Sequence, residues 1–344
     1  MGSESTARVD VLEGGEASVI PEVASDDPTR RRSPIARWAS VAALFAVLGL
    51  GAGYLIRNAS DLAQSVRLHP LHLVPLVLLE ASLLVTRGLL TRSLCRIFGV
   101  SLGAREAFHL AAATSLTNYV APFVGGTGLR AVYLKRRHRL PYASFVSVQA
   151  ATYTLHFAIS ATTGLLCLPA LPGGTSALRN ALAALLFLVL VASVLAHWWP
   201  FRPPSGQGTI SRSVRRVIEG WIRLRASRFA PLIGLLAANT ILQGLAIAFA
   251  FAAVGTRASP IEALFVASIY SLSIVLAITP ASVGISEGAV VLAASVAGLP
   301  SLTALMAAVA RRVVAFSVAL GSTLAMSFGN GSTSAAGDGA GRGG

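Results

Sequence analysis

Long apolar segments separated by short polar connections make up most of this chain. A segment of about 20 apolar residues is long enough for an α-helix to cross the hydrocarbon core of a bilayer. The pattern predicts an all-α, polytopic membrane protein with six spans, over residues 35–56, 71–90, 143–171, 177–199, 229–254 and 302–326.

Two further apolar segments, residues 104–134 and 262–298, are broken by proline and glycine. The first is preceded by Arg105 and followed by Lys135-Arg136-Arg137, and positive residues mark the cytoplasmic side. A re-entrant helical hairpin that opens to the cytoplasm puts both ends on that side, whereas a single crossing does not. A second hairpin, opening outward, leaves one final span. Two hairpins of opposite direction predict an inverted repeat around a central site.

The remaining polar segments predict the ends of the membrane domain and one surface helix. Residues 1–34 are acidic, end in Arg30-Arg31-Arg32 and lack apolar periodicity, which predicts a disordered cytoplasmic tail. Residues 327–344 form a low-complexity Gly/Ser/Ala tail that is also predicted to be disordered. The membrane domain therefore covers residues 35–326. Within it, residues 202–228 predict a loop and a basic amphipathic helix on the inner leaflet.

Composition agrees with this architecture and argues against a nucleic-acid partner. The chain has 344 residues, of which 54% are hydrophobic and 12% charged, and its mean hydropathy of +0.69 is too high for an ordinary soluble domain. The net charge of +14 does not indicate nucleic acid, because the arginines flank hydrophobic spans. Lys135 is the only lysine among 28 basic residues, a bias typical of a GC-rich bacterial genome. We therefore expect a multi-pass protein of the inner (plasma) membrane with a cytoplasmic N-terminus.

The first hairpin carries its break next to polar and charged residues. Irregular backbone within a membrane survives only where protein covers it or where it lines a polar cavity. Glycine amides at the start of a half-helix would offer N–H groups to an anion, and an arginine one turn further on would bind a phosphate through two N–H groups. The alternative is an ordinary turn with an arginine that reaches the inner surface. The predicted substrate-binding residues here are Asn118, Pro122, Gly125, Gly126, Thr127 and Arg130.

The second hairpin has a corresponding break that contains an acidic residue. Glu287 follows Gly284 by three residues, so it either caps the next helix or acts as a proton carrier or counter-charge. Two adjacent arginines interrupt the last span, where at least one of them needs a cavity or an acidic partner such as Glu287. Glu80 and Arg87 share a face of the second span, in either a structural or a transport role. The predicted substrate-binding residues here are Pro280, Gly284, Glu287, Arg311 and Arg312.

The other polar residues do not indicate enzymatic or metal chemistry. Cys95 and Cys167 lie far apart, without the spacing of a disulfide framework or a zinc site. The sequence has no run of metal ligands, no Walker-type phosphate loop and no soluble catalytic domain, so we expect no cofactor and no direct use of ATP. Interhelical hydrogen bonding is the expected role of four polar residues in apolar stretches: His109, His156, Asn239 and Gln243.

At the two breaks the chain resembles the family named for the transmembrane region of lysylphosphatidylglycerol synthase. The resemblance covers roughly residues 35–326. In the first half it is carried by Asn118, Pro122, Gly125-Gly126 and the segment from Arg130 to Arg136. In the second half it is carried by Pro280, Gly284, Glu287, Gly298 and Arg311 or Arg312.

This resemblance implies a polytopic domain that moves lipids across the bilayer, as the membrane part of the synthase is thought to do for aminoacylated phosphatidylglycerol. Many family members have an acidic residue where this chain has Thr127, a difference that bears on any head-group contact or proton site at that position. The aminoacyl-transferring domain of the full synthase is absent, so we expect that this chain does not make the lysyl-lipid itself.

Residues and resemblance together predict a lipid translocator without enzymatic activity. Its substrate would be an anionic or aminoacylated phospholipid, or a lipid-linked precursor, supplied by a separate lipid-modifying enzyme. Arg130 and the Gly125-Gly126 backbone would engage the head group, and Glu287 would be the proton or counter-charge site. Two alternatives stay open: a membrane-embedded transferase or accessory subunit that acts on a lipid carrier, and a scaffold that transports nothing.

Overall fold

A computed structural model describes residues 69–120, 125–172, 176–199, 208–226, 230–273, 282 and 284–335. The predicted span over residues 35–56, the N-terminal tail, and both Pro122 and Pro280 lie outside these ranges, so their predictions are untested. The boundaries of the membrane domain stay predictions as well.

All regular elements within the described ranges are helices. Short 3-10 turns precede the first α-helix, at Pro70–His72, and follow the fourth, at Leu168–Ala170. The α-helices are α1 (Leu73–Ile97), α2 (Ala104–Val120), α3 (Gly125–His138), α4 (Tyr142–Cys167), α5 (Ala177–Trp198), α6 (Thr209–Ala226), α7 (Ala230–Ala253), α8 (Pro260–Ser273), α9 (Ile285–Val296) and α10 (Ser301–Ala335).

The structure confirms a polytopic helical membrane protein. Five of its helical segments are long and apolar enough to cross a membrane: Pro70–Ile97, Tyr142–Ala170, Ala177–Trp198, Ala230–Ala253 and Ser301–Met326. Each corresponds to a predicted span. Two helices continue further than predicted, α1 through Arg92 and Arg96 to Ile97 and α10 to Ala335. Arginine is a good helix former and is favoured near a helix C-terminus, so the charge that marks the edge of a span does not end α1.

Helices α2 and α3 form a hairpin whose two ends meet. The carboxylate of Glu106, in the first turn of α2, accepts hydrogen bonds from Tyr133 Oη at 2.6 Å and from the backbone N–H of Gly103 at 3.4 Å. The Nε2 atom of His138, the last residue of α3, lies 2.7 Å from the same carboxylate. The chain therefore returns to the end of the bundle from which it started. We call this group of residues the hairpin clamp.

Helices α8 and α9 form the second hairpin, and it begins at the opposite end of the bundle. The backbone N–H of His69, just before α1, donates to the carbonyl of Ala253 at the end of α7 at 2.9 Å. Pro260 opens α8 a few residues later, so this hairpin starts near the N-terminal end of α1. The α2–α3 hairpin instead follows the C-terminal end of α1 after a short loop. This arrangement agrees with two hairpins of opposite direction; which side of a membrane each end faces stays a prediction.

One large apolar cluster holds the bundle together. It joins α1, α4, α5 and α7–α10, and Phe251 and Phe265 are completely buried in it. Helix α6 has the predicted amphipathic pattern and packs on α4, where Ser147 Oγ donates to the Val217 carbonyl at 2.8 Å. A Cβ on Gly220 would lie 2.5 Å from Ser147 Oγ, so glycine is needed for this close approach. The position of α6 on the inner leaflet stays a prediction.

Candidate functional site

A cavity of about 560 Å³ lies between α1–α4 and α7–α10. Four of the five candidate spans contribute to its wall, as do both hairpins. This volume is within the range of known small-molecule sites, about 300–1,000 Å³. The polar part of the lining includes Asn118, Tyr119, Thr127, Arg130, Tyr153, His156, Ser286, Glu287, Arg311 and Arg312.

The first break is built on close contact between α2 and α3. The side-chain oxygen of Asn118 accepts a hydrogen bond from the Gly126 N–H at 2.9 Å and so satisfies one amide at the start of α3. A Cβ on Gly126 would collide with the carbonyl oxygen of Thr114, so no side chain fits at this position. The Gly126 amide, expected from the sequence to face a ligand, is therefore engaged within the protein. Thr127, one residue further on, lines the cavity.

Arg130 reaches the cavity from α3. Its Nε atom is buried and has no hydrogen-bond partner among the residues that the structure describes. Arg87 reaches the same cavity from α1, and its charge lies within electrostatic range of the Arg130 guanidinium. Neither arginine forms an ion pair within the described ranges, whereas the other two arginines of the cavity do.

The acid of the second break has a structural role that the sequence offered as one alternative. Glu287 caps α9, because its Oε2 atom accepts from the Gly284 N–H at 2.7 Å. Its Oε1 atom lies 2.7 Å from Arg312 Nε, which confirms the predicted acidic partner. Gly284 has a φ of 84°, a left-handed conformation that favours glycine. Arg312 also donates to Ser286 Oγ at 2.5 Å, so α10 is tied to the first turn of α9.

The neighbouring arginine is paired with another helix. Arg311 Nε donates to Glu80 Oε1 at 2.8 Å, and the two side chains are only 7% and 5% exposed. The Arg311 guanidinium also lies over the ring of Tyr270, 4.6 Å from its centroid. Burying a charge without a partner is costly, so this pair fixes α10 against α1. Glu80 therefore has the structural role that the sequence offered as one of two alternatives.

The charged side chains of the cavity do not balance. Among the described residues its lining contains four arginines and two glutamates, an excess of two positive charges. Both glutamates are held by Arg311 and Arg312. The excess therefore lies at Arg87 and Arg130, on the side of the cavity formed by α1, α3 and α4.

A polar stripe on α4 faces this side and was not recognised as a site from the sequence. Gln149, Thr152, Tyr153 and His156 follow one another at helical spacing and all line the cavity. The signal was present, because one polar face on an apolar span indicates a polar cavity or a polar neighbour. Only His156 was singled out, and it was assigned to interhelical hydrogen bonding.

The structure confirms interhelical hydrogen bonding for Gln243, and for His156 and Asn239 it leaves one polar atom of each side chain without a partner. Gln243 Oε1 accepts from Ser271 Oγ at 3.0 Å, a buried bond between α7 and α8. His156 Nδ1 and Asn239 Oδ1 are buried in the cavity wall without a hydrogen-bond partner within the described part of the chain. Within the described ranges, no three side chains of the metal-ligating types lie together in a group that could hold a metal ion.

Fold and cavity define a multi-pass helical membrane protein with an internal polar site. A model of the family described as the lysylphosphatidylglycerol synthase TM region matches residues 38–321. The chain belongs to this family, which places it among membrane proteins related to lipid handling. Comparisons with curated proteins and with solved structures found no match.

Proposed function

We propose that this protein moves a lipid with an anionic head group across the plasma membrane, and that the head group passes through the cavity. The observation that carries the proposal is the unbalanced charge at Arg87 and Arg130, next to four candidate spans. Membership of a family related to lipid handling supports a lipid as the cargo.

Electrostatics favours an anion over other ligands. A buried guanidinium nitrogen without a hydrogen-bond partner, such as Nε of Arg130, is destabilising, and an intramembrane charge indicates a functional site. A phosphate oxygen relieves this cost by accepting charge-assisted hydrogen bonds from the guanidinium. Arg130 is therefore the principal head-group contact, and Asn118 and Thr127 line the route beside it.

The two ion pairs support this route instead of binding the cargo. Glu287 is the counter-charge of Arg312, and Glu80 is the counter-charge of Arg311. Together they hold α1, α9 and α10 around the cavity while adding no net charge. The proposed orientation has a cytoplasmic N-terminus, and the cargo would come from the membrane or from a separate lipid-modifying enzyme.

Transport in proteoliposomes tests the proposal. Fluorescent anionic and zwitterionic phospholipids are placed in one leaflet, and their movement to the other is followed with a reagent that cannot cross the membrane. Wild-type protein should accelerate movement of the anionic lipid, and Arg130→Gln should lower the rate at least about tenfold because one charge-assisted contact is lost. Arg96→Gln is the matched control, since Arg96 is an exposed arginine on α1 outside the cavity.

Wild-type vesicles that move no lipid faster than protein-free vesicles would contradict translocation. Equal loss of rate in Arg130→Gln and Arg96→Gln would contradict the assignment of the route to the cavity.

A further inference from the structure

The acidic residues in the described part of the chain are all engaged. Glu80 and Glu287 hold Arg311 and Arg312, and Glu106 belongs to the hairpin clamp. Glu219 lies 2.7 Å from Arg215 on α6, and Glu262 accepts from the Ser259 N–H at the start of α8 at 2.7 Å. Within these ranges no carboxylate is left over to neutralise the cavity.

The two uncompensated arginines share their cavity with a third polar group, the imidazole of His156. His156 on α4 is within electrostatic range of Arg87, and its Nδ1 atom is buried with no partner in the described ranges. The charge of Arg87 also repels that of Arg130 electrostatically. Three helices thus each contribute a nitrogen-bearing side chain to the wall of the cavity. We call this group, Arg87, Arg130 and His156, the diarginine site.

We propose that the diarginine site binds a phosphate group that carries two negative charges, as in a phosphate monoester or a diphosphate. This inference rests on the proposed function and narrows its substrate class. Two guanidinium groups supply two positive charges, and the buried imidazole supplies a further polar contact whose donor or acceptor role depends on its tautomer. A doubly charged head group neutralises the site, whereas a phosphodiester leaves one positive charge unpaired.

The same charge balance excludes one of the cargoes expected from the sequence. An aminoacylated phosphodiester with a lysyl group has more positive than negative charges, so it would increase the excess instead of relieving it. Like charges in a poorly hydrated cavity repel strongly. We therefore expect the diarginine site to reject a cationic aminoacyl head group.

Equilibrium binding to the purified full-length protein in neutral detergent tests this inference without requiring transport. The probes share the same short acyl chains and differ in the head group: phosphatidic acid, a monoester, and phosphatidylglycerol, a diester. Glycerol 3-phosphate is the soluble probe with the same phosphate chemistry. The variants are Arg87→Gln and Arg130→Gln, with Arg87→Lys to retain the charge and Arg96→Gln as the control outside the cavity.

Wild-type protein should bind the monoester lipid at least about tenfold more tightly than the diester lipid, the effect of roughly one additional charge-assisted contact. Each glutamine variant should reduce this preference to near unity, Arg87→Lys should keep more of it than Arg87→Gln because the charge remains, and Arg96→Gln should retain it in full. Equal wild-type affinity for the two lipids would overturn the inference, as would a preference that survives both glutamine variants. Affinity for glycerol 3-phosphate equal to that for the monoester lipid would overturn the assignment to a lipid.

These outcomes are separate from those of the transport test. Selective binding of the monoester without any movement of lipid would retain the diarginine site and contradict translocation. Transport of diester and monoester lipids at the same rate, with equal affinities, would retain translocation and contradict the diarginine site.

Discussion

Gly126 illustrates how single residues shape the first break. Its backbone lies so close to α2 that the carbonyl of Thr114 and the side chain of Asn118 occupy the space of a Cβ atom. The requirement for glycine is therefore one of packing against a neighbouring helix. The hydrogen bond from its amide to Asn118 fixes the start of α3, and with it the direction in which Arg130 enters the cavity.

We expect Gly126→Ala to destabilise the protein by at least about 2 kcal/mol, because the added methyl group forces α2 and α3 apart. Gly234→Ala on α7 is the matched control, since its Cβ would meet no atom within 4 Å. The control should be neutral or stabilising by up to about 1 kcal/mol, owing to the higher helix propensity of alanine. Thermal unfolding in detergent measures both. Equal stability of the two variants would contradict the close packing of the hairpin.

The residue types of the site could be predicted, whereas their partners could not. Charges in apolar segments identified Arg130, Glu287 and the two arginines of α10, because charges in lipid-facing segments are costly. Helical periodicity indicates which face a residue occupies but not which helix lies opposite. The pairing of Arg311 with Glu80, 231 positions away, therefore appears only in the structure. For the same reason the hydrogen bond from the Gly126 amide to Asn118 could not be foreseen.

At the scale of elements, the hairpin clamp closes the ends of α2 and α3. Burial raises the pKa of Glu106, but hydrogen bonds from Tyr133, His138 and the Gly103 N–H outweigh it, so this pKa lies below its usual value. Burial and the hydrogen bond to Glu106 raise the pKa of Tyr133 to about 12. At neutral pH the clamp therefore consists of an ionised carboxylate and a neutral phenol.

The hairpin clamp predicts that the thermal stability of the folded protein depends on pH and that Glu106→Gln removes this dependence. A carboxylate with a lowered pKa in the folded protein stabilises it fully above the ordinary glutamate pKa, near 4.5, and this contribution disappears as the pH falls through the lowered value. The melting temperature of the wild type should therefore fall more steeply below pH 4.5 than that of Glu106→Gln. Glu219→Gln, which alters an exposed ion pair on α6, should keep the wild-type profile. Parallel profiles for wild type and Glu106→Gln would contradict the clamp.

Most elements could be predicted because their signals are local. Apolar length identified the five described spans, and arginines at both ends of residues 104–134 identified the α2–α3 hairpin. The helix ends were harder to predict. Charged residues indicate where a span leaves the membrane, but α1 and α10 continue as helices beyond the ends of the predicted spans. The polar stripe of α4 was missed because each of its residues alone is ordinary, and its meaning depends on the helices across the cavity.

At the scale of the whole molecule, the cavity is the product of long-range assembly. Eight of the described helices contribute to its wall; the ion pair of Glu80 with Arg311 joins its two sides, and the ion pair of Glu287 with Arg312 joins α9 to α10. The uncompensated charge at Arg87 and Arg130 becomes visible only once the glutamates of the described ranges have been assigned to their partners. This cavity is the proposed route of the anionic head group.

Blocking the cavity during transport tests this route most directly. Thr127→Cys and Leu129→Cys are made in a parent in which Cys95 and Cys167 are replaced by alanine. Thr127 lines the cavity, whereas Leu129 on the same helix is 39% exposed on the outside of the bundle. Proteoliposomes are treated with a small neutral thiol reagent, and flipping of an anionic phospholipid is measured before and after treatment. Modification should stop transport in Thr127→Cys and leave the transport rate of Leu129→Cys unchanged. Unchanged transport by fully modified Thr127→Cys would contradict the route through the cavity.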